Sequence, residues 1–128
     1  MRLLFLVPMY YIQTIEGAAV KLVRSDQFRY SFKFENGVSN DQKWYFLDNG
    51  NGYFQIVNIE YRVFLSCDLD KKLVAIPKSL ADDSQKWSAV RNGIFFNMVN
   101  KLYKVYLGSS NGIPAVSTKP YSLFLLLA

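Results

Sequence analysis

The sequence contains no histidine and only one cysteine, Cys67, in 128 residues. The absence of histidine excludes Ser-His and Cys-His catalysis, histidine-based acid–base chemistry and the commonest protein ligand of transition metals. A single cysteine excludes an internal disulfide framework, and one cysteine without histidine does not make a zinc site. The composition therefore favours a binding function over catalysis. It predicts no catalytic residue, no metal site and no cofactor.

Acidic residues are missing from the last third of the chain. The ten acidic residues end at Asp83, and the net charge of +5 comes from the basic residues that follow. A basic region of this kind attracts nucleic acid, anionic lipid or an acidic partner. No run of adjacent basic residues is longer than Lys71-Lys72, which favours an ordinary solvated surface and leaves nucleic acid as an alternative partner. The excess consists of Lys86, Arg91, Lys101, Lys104 and Lys119.

Long hydrophobic runs are also missing. The apolar runs Leu3–Val7 and Leu123–Leu127 are far shorter than the roughly 20 residues of a membrane span, so no span is predicted. Arg2 and the first run resemble the start of a signal peptide, but no cleavage pattern follows before Gly17. We therefore predict a retained β-strand there and a final core strand at the other end. One unpaired cysteine favours the cytoplasm, whereas the apolar N-terminus leaves secretion open.

An internal repeat of about 43 residues is the strongest pattern in the chain. A shift of 43 places Gln42-Lys43-Trp44 on Gln85-Lys86-Trp87 and Leu22 on Leu65, and a shift of 42 then places Leu65 on Leu107. Residues 1–128 are therefore predicted to form one domain of three units, at approximately 10–49, 50–92 and 93–128. Aromatic residues match at nearly the same offsets: Tyr10 with Tyr53, Phe54 with Phe96, and Tyr61 with Tyr103.

Each unit has the pattern of four short β-strands separated by turn residues, and no segment shows a helical period with a cap. Three such units give twelve strands, and a closed barrel with a cap of hairpins leaves few exposed edges. We therefore predict an all-β fold, the β-trefoil, with the three matched leucines around one pseudo-threefold axis. In the second unit the strands are predicted at Tyr53–Asn58, Val63–Asp68, Leu73–Lys78 and Lys86–Val90.

The two Gln-Lys-Trp segments resemble the Gln-x-Trp motif of the ricin B-chain-type lectins, and the resemblance extends from Tyr10 to Leu127. It implies a non-catalytic module that binds carbohydrate. Trp44 and Trp87 are predicted to fill the core, and the glutamine of each motif to hydrogen-bond the backbone of its loop. In the third unit Ser122-Leu123-Phe124 stands where the motif is expected. We expect Phe124 to take the core role of the tryptophan there.

The same resemblance implies where a sugar would bind: an Asp after the core leucine of the second strand, an aromatic residue one strand later, and an Asn before the motif glutamine. Val23, Ser66 and Gly108 stand where the Asp is expected, so the usual galactose site is largely absent. Asp41 and Phe34 are the nearest substitutes in the first unit, and further acids lie on loops after the second strands. The candidate carbohydrate-binding residues are Asp26, Phe34, Asp41, Gln42, Asp68, Asp70 and Gln85.

Two hypotheses of function follow. The first is binding of a glycan or glycoprotein, which the repeated Gln-Lys-Trp segments favour. The second is recognition of a protein partner through trefoil loops, as in protease inhibitors of similar fold or an accessory subunit of a larger assembly, and the loss of the usual sugar residues favours it. Under both hypotheses Cys67 is predicted to be a small core residue, and the loop carboxylates at 68, 70, 82 and 83 are predicted to be solvated.

Overall fold

The computed structural model describes residues 7–128, so the strand predicted over Leu3–Val7 lies outside the described residues except for Val7. Short 3₁₀ helices occur at Asn40–Gln42 and Asp83–Gln85. Within residues 7–128 no helix is long and apolar enough to cross a membrane. The twelve strands are β1 Met9–Gln13, β2 Ala19–Asp26, β3 Arg29–Glu35, β4 Trp44–Gly50, β5 Tyr53–Asn58, β6 Phe64–Cys67, β7 Leu73–Ile76, β8 Trp87–Asn92, β9 Phe95–Asn100, β10 Tyr106–Ser110, β11 Ile113–Ser117 and β12 Phe124–Leu127.

Six strands form a closed antiparallel barrel. β1 pairs with both β12 and β4, β4 pairs with β5, β5 with β8, and β8 with β9. A bridge between Phe96 in β9 and Leu123, directly before β12, closes the ring. The other six strands form three hairpins, β2–β3, β6–β7 and β10–β11. A six-stranded barrel capped by three hairpins is a β-trefoil, so the predicted fold is confirmed.

Three of the four strands in the second unit end or begin one or two residues from the predicted bounds, and β8 runs on to Asn92. β5 has the predicted bounds, and β6 is shorter by one residue at each end. β7 stops at Ile76, because Pro77 has no N–H to continue the ladder. β8 begins at Trp87 because Lys86 ends the 3₁₀ helix, its N–H donating to the carbonyl of Asp83.

The turn between the first two strands repeats in all three units. The amide N–H groups of Thr14, Asn58 and Asn100 each donate to a carbonyl across the turn at 2.9 Å. The residue before each acceptor has a left-handed backbone, which requires a positive φ. The acceptors are Ala18, Val63 and Val105. The left-handed residues are Gly17 with φ 93°, Arg62 with φ 58° and Lys104 with φ 58°.

The gapless shift of 43 is wrong at the first and second strands. Tyr10 pairs with Trp44 as Phe54 pairs with Trp87, so Phe54 rather than Tyr53 is the counterpart of Tyr10. Trp44 Nε1 donates to the carbonyl of Val20 at 3.0 Å, whereas Trp87 Nε1 donates to that of Leu65 at 3.1 Å. Val20, two residues before the predicted Leu22, is therefore the counterpart of Leu65. The turn before β2 is one residue shorter than the turn before β6. The segment from β2 to the first motif is correspondingly longer than the segment from β6 to the second motif, which restores the offset of 43 at the motifs. All three matched leucines are nevertheless buried in one core.

A ring of six positions, two from each unit, surrounds a cavity of about 230 Å³ in the barrel. On the side of the first unit, the rings of Tyr10 and Phe46 pack against each other with their centroids 5.0 Å apart. Ala89 stands where the first unit has Phe46, and its small side chain leaves the barrel underfilled on that side. The six residues are Tyr10, Phe54 and Phe96 from the first strands and Phe46, Ala89 and Leu125 from the fourth.

Candidate functional site

The motif tryptophans belong to the core, as predicted. Trp44 and Trp87 are fully buried, and each donates its indole N–H to a carbonyl on the adjacent hairpin. In the third unit the prediction for Phe124 is wrong. Leu123 bridges Phe96 as Trp87 bridges Phe54, so Leu123 holds the tryptophan position and is fully buried.

Phe124 is half-buried and lies against Phe95, with ring centroids 4.6 Å apart. The third motif therefore reads Tyr121-Ser122-Leu123, one residue earlier than expected. This register places Tyr121 in the position of the motif glutamine.

The motif glutamines shape the loops before them. Gln85 is fully buried, its Nε2 donates to the carbonyl of Lys78 at 3.2 Å, and its Oε1 accepts from the N–H of Leu80 at 2.9 Å. Gln42 is equally buried and uses both ends of its amide in the same way. Burial of a polar group requires such partners. Both glutamines therefore position loop backbone rather than present a polar group at the surface.

A surface cavity of about 350 Å³ lies beside the second motif. We call it the second-unit cavity. Its floor is formed by the β6–β7 hairpin, and Ser66 Oγ donates to the carbonyl of Ser84 at 3.2 Å across it. Residues from three separate parts of the chain meet here. The lining is Ser66, Cys67, Asp68, Leu69, Val74, Ile76, Leu80, Asp82, Ser84, Leu102 and Tyr103.

Two carboxylates face the second-unit cavity. Asp68 Oδ1 accepts from the N–H groups of Asp70 and Lys72, each at 2.9 Å. Asp82 Oδ1 accepts from the N–H of Ser84 at 3.1 Å and from the Ser84 hydroxyl. Among the described residues no hydrogen bond or ion pair engages the Oδ2 atom of either carboxylate. Each Asp therefore uses one oxygen to hold its loop and retains one acceptor for a ligand.

Tyr103 supplies an aromatic ring to the cavity. Its counterpart one unit earlier, Tyr61, has Tyr30 at a centroid distance of 5.7 Å and the Arg24 guanidinium at 5.8 Å. Within the described chain no ring or cation stacks on Tyr103. Both tyrosines are half-buried, but the ring and the cation that stack on Tyr61 have no counterpart at Tyr103 among the described residues.

Cys67 is buried in the floor of the cavity, as predicted for a small core residue. Burial, together with the nearby Asp68 charge, raises the pKa of its thiol to about 11. A thiol with this pKa is protonated at neutral pH and is a poor nucleophile. Within residues 7–128 no three Cys, Asp or Glu side chains are close enough to hold a metal ion.

An ion-pair cluster fills the corresponding position of the first unit. Lys21, the counterpart of Ser66, lies 2.7 Å from Glu35 Oε2 and 3.7 Å from Asp41 Oδ2, and Lys33 reaches Glu35 Oε1 at 2.9 Å. The hydrogen bond from Lys21, supported by Lys33, lowers the pKa of Glu35 to about 2. Asp41 is the counterpart of Ser84, so a charged cluster replaces the open serine pair.

A tyrosine closes the corresponding position of the third unit. Gly108 stands where the second unit has Ser66, and Tyr121 lies directly over it. A Cβ added to Gly108 would come within 2.8 Å of Tyr121 Cβ. Only a glycine allows this approach, and the aromatic side chain takes the space that a ligand would need. Of the three equivalent positions, the one in the second unit is open.

The structure separates the remaining sequence candidates. Asp26 is exposed on the β2–β3 hairpin, where it accepts from the N–H of Phe28 at 3.0 Å and pairs with Arg29 at 3.5 Å. Phe34 is half-buried against the core rather than exposed for stacking. Asp70 is exposed on the β6–β7 loop and touches the site only through its backbone.

Of the seven candidates, Asp68 lines the second-unit cavity, and Gln85 hydrogen-bonds the backbone of Leu80, which also lines it. Sequence reasoning did not select Asp82 or Tyr103 as site residues. The sequence did contain one indication of this cavity, which is a set of leucines in turn segments, where leucine is not expected to serve the core. Leu69 is 89% exposed, Leu80 48% and Leu102 50%, and all three border the cavity.

No family model matches this chain, and no curated protein matches its sequence. Solved structures do match its fold. SeviL bound to asialo-GM1 saccharide superposes with a TM-score of 0.76 at 21% identity, over 95% of this chain and 98% of that one. The BEL β-trefoil superposes with a TM-score of 0.77 at 9% identity, over 94% and 93%. The chain shares their β-trefoil fold.

A larger enzyme contains a similar domain. A GlcNAcα1-4Gal-releasing endo-β-galactosidase from Clostridium perfringens matches with a TM-score of 0.80 at 15% identity. The match covers 95% of this chain and 33% of the enzyme, so the chain spans about a third of that enzyme's length. At such low identities the likeness establishes the fold alone.

Proposed function

We propose that this protein is a lectin-like, non-catalytic module that binds a glycan in the second-unit cavity. The observation that carries the proposal is the combination of one aromatic ring with no stacked ring or cation and two carboxylates that each have an unengaged oxygen among the described residues. Sugars are recognised by an apolar face under the ring and by acceptors for neighbouring hydroxyls. Tyr103 supplies the first, and Asp68 and Asp82 supply the second. SeviL, of the same fold, binds a saccharide in its solved structure.

The proposal assigns one binding site, whereas the resemblance to ricin B-chain-type lectins implies an equivalent site position in each of the three units. Here Lys21 and its acidic partners fill the first position, and Tyr121 fills the third. A single surface site with one aromatic ring and few polar contacts binds weakly. We expect a dissociation constant in the millimolar range, about 4 kcal/mol of binding free energy. Several copies on one surface would be needed for tight attachment.

The test is a glycan array followed by titration of the best ligand by NMR. Asp82→Asn and Tyr103→Ala are expected to weaken binding at least several-fold, since each removes one contact with the sugar. The matched controls are Asp41→Asn and Tyr61→Ala, which change the corresponding region beside the first motif and are expected to leave binding unchanged. Equal weakening by the controls, or no effect of either site variant, would contradict the assignment.

The rim of the second-unit cavity favours a second candidate, recognition of a protein. Leu69, Leu80 and Leu102 present exposed apolar surface around a polar centre, an arrangement also found in protein interfaces. If no glycan on a broad array binds, this candidate takes precedence. A crosslinked partner that is lost in Leu69→Ser and Leu102→Ser, but retained in Val38→Ser, would support it. Val38 is the control because it is 74% exposed and does not line this cavity.

A further inference from the structure

A third cavity lies at the boundary of the first and second units, away from the proposed glycan site. Its volume is about 510 Å³, and its walls are mainly apolar. Tyr45 and Leu47 alternate along β4 with the buried Trp44 and Phe46, so they face outward from the barrel. We call it the boundary cavity, and its lining is Val7, Tyr45, Leu47, Val57, Arg62 and Phe64.

Among the described residues that line the boundary cavity, Arg62 is the charged one. Its guanidinium carbon lies 5.8 Å from the centre of the Tyr45 ring, which holds the cation over the apolar wall. No carboxylate from residues 7–128 lines the cavity, and none pairs with Arg62. An exposed cation at the edge of an apolar cavity is complementary to a ligand with an apolar body and one acidic group.

The backbone at Arg62 belongs to the turn that repeats between the first two strands of each unit. Its φ of 58° is left-handed, a conformation that glycine adopts without strain, and the first unit has Gly17 at this place. The second unit keeps a long basic side chain where the fold itself favours glycine.

The third unit provides an internal control. Lys104 is the counterpart of Arg62 and has the same φ of 58°. Ser88 follows Trp87 as Tyr45 follows Trp44, so the aromatic ring under the cation is missing at that boundary. A basic residue at positive φ is therefore common to two units, whereas its placement over an aromatic, apolar wall is particular to Arg62.

We propose that the boundary cavity binds a small amphiphilic anion, such as a monomeric medium-chain carboxylate. The alkyl body lies against Leu47, Val57 and Phe64, and the carboxylate pairs with the Arg62 guanidinium. This site is separate from the second-unit cavity, and the proposal does not depend on glycan binding.

The experiment compares dodecanoate with dodecanol, which has the same alkyl chain without the negative charge. Binding to the full chain is measured by calorimetry at pH 8, below the concentration at which dodecanoate aggregates, and mapped by amide chemical shifts. Dodecanoate is expected to bind about tenfold more tightly than dodecanol and to shift the amides of Leu47, Val57 and Phe64. Arg62→Gly removes the cation without backbone strain and is expected to weaken dodecanoate at least tenfold while leaving dodecanol unchanged.

Lys104→Gly is the matched control, because it makes the same change of charge and backbone in the third unit. It is expected to leave dodecanoate binding unchanged. Equal weakening by the two variants would overturn the proposal, since the anion would then respond to net charge alone. Absence of binding would also overturn it, as would binding only after deletion of residues 1–6 or only to phosphatidylglycerol vesicles. Those outcomes would assign the cavity to the chain's own N-terminal segment or to a membrane surface.

Discussion

Replacement of Trp87 by alanine is expected to remove a large part of the folding stability. Trp87 is fully buried in the core, and its Nε1 donates to the carbonyl of Leu65 at 3.1 Å. Truncation of a buried tryptophan to alanine typically costs about 3–5 kcal/mol. The Leu65 carbonyl also loses its side-chain donor, which adds about 1 kcal/mol or more.

The expected loss is therefore about 4 kcal/mol or more, against a total of about 5–15 kcal/mol for a domain of this kind. Trp87→Leu tests whether a smaller apolar side chain can partly fill the position that the alanine variant leaves empty. Leucine fills the same position in the third unit, where Leu123 is fully buried. This variant is expected to lose about half as much stability as the alanine variant, because it retains part of the apolar contact.

Urea unfolding followed by far-ultraviolet circular dichroism measures both losses. Fluorescence of the remaining Trp44 gives a second probe, and coincident transitions would support two-state unfolding. An alanine loss below about 1 kcal/mol would refute the core role of Trp87. A leucine loss equal to the alanine loss would refute the equivalence of Trp87 with Leu123.

Three further predictions concern the barrel cavity, the third unit and the ion-pair cluster. Ala89→Leu should raise the free energy of unfolding by about 1–2 kcal/mol by burying apolar atoms in the barrel, and a lower melting temperature would contradict this. Gly108→Ala should cost about 1–3 kcal/mol through its contact with Tyr121, and Tyr121→Ala in the same chain should recover part of that loss in urea melts. Glu35 has a folded pKa of about 2, below its ordinary 4.5, so its stabilising contribution is present above pH 4.5 and is lost as the pH falls towards 2. The melting temperature of the wild type should therefore fall more steeply than that of Glu35→Gln over this range, and parallel profiles would count against the Lys21 pairing.

The repeat and the strand pattern were sufficient to predict the fold. Alternation of apolar and polar residues is a local property, and the recurrence of Gln-Lys-Trp identified the units without knowledge of their contacts. The burial of Trp44 and Trp87 and the loop role of Gln42 and Gln85 followed from the same motif. Each of these predictions depends on residues that are near one another along the chain, where sequence spacing determines which side chains meet.

Register between units could not be read from the sequence, because small length differences in turns accumulate without changing local patterns. The structure alone shows that Val20 rather than Leu22 matches Leu65, and that Leu123 rather than Phe124 replaces the third tryptophan. Both pairs are apolar, so either register satisfies the hydrophobic pattern.

The candidate site depended even more on tertiary structure. Ser66, Asp82 and Tyr103 come from three separate segments and meet only when the second unit packs against the third. Whether such a position stays open is decided by its neighbours. A lysine with two acidic partners fills it in the first unit, and Tyr121 fills it in the third. The sequence determined three equivalent places for a site, and packing between distant side chains decided that the second is the open one.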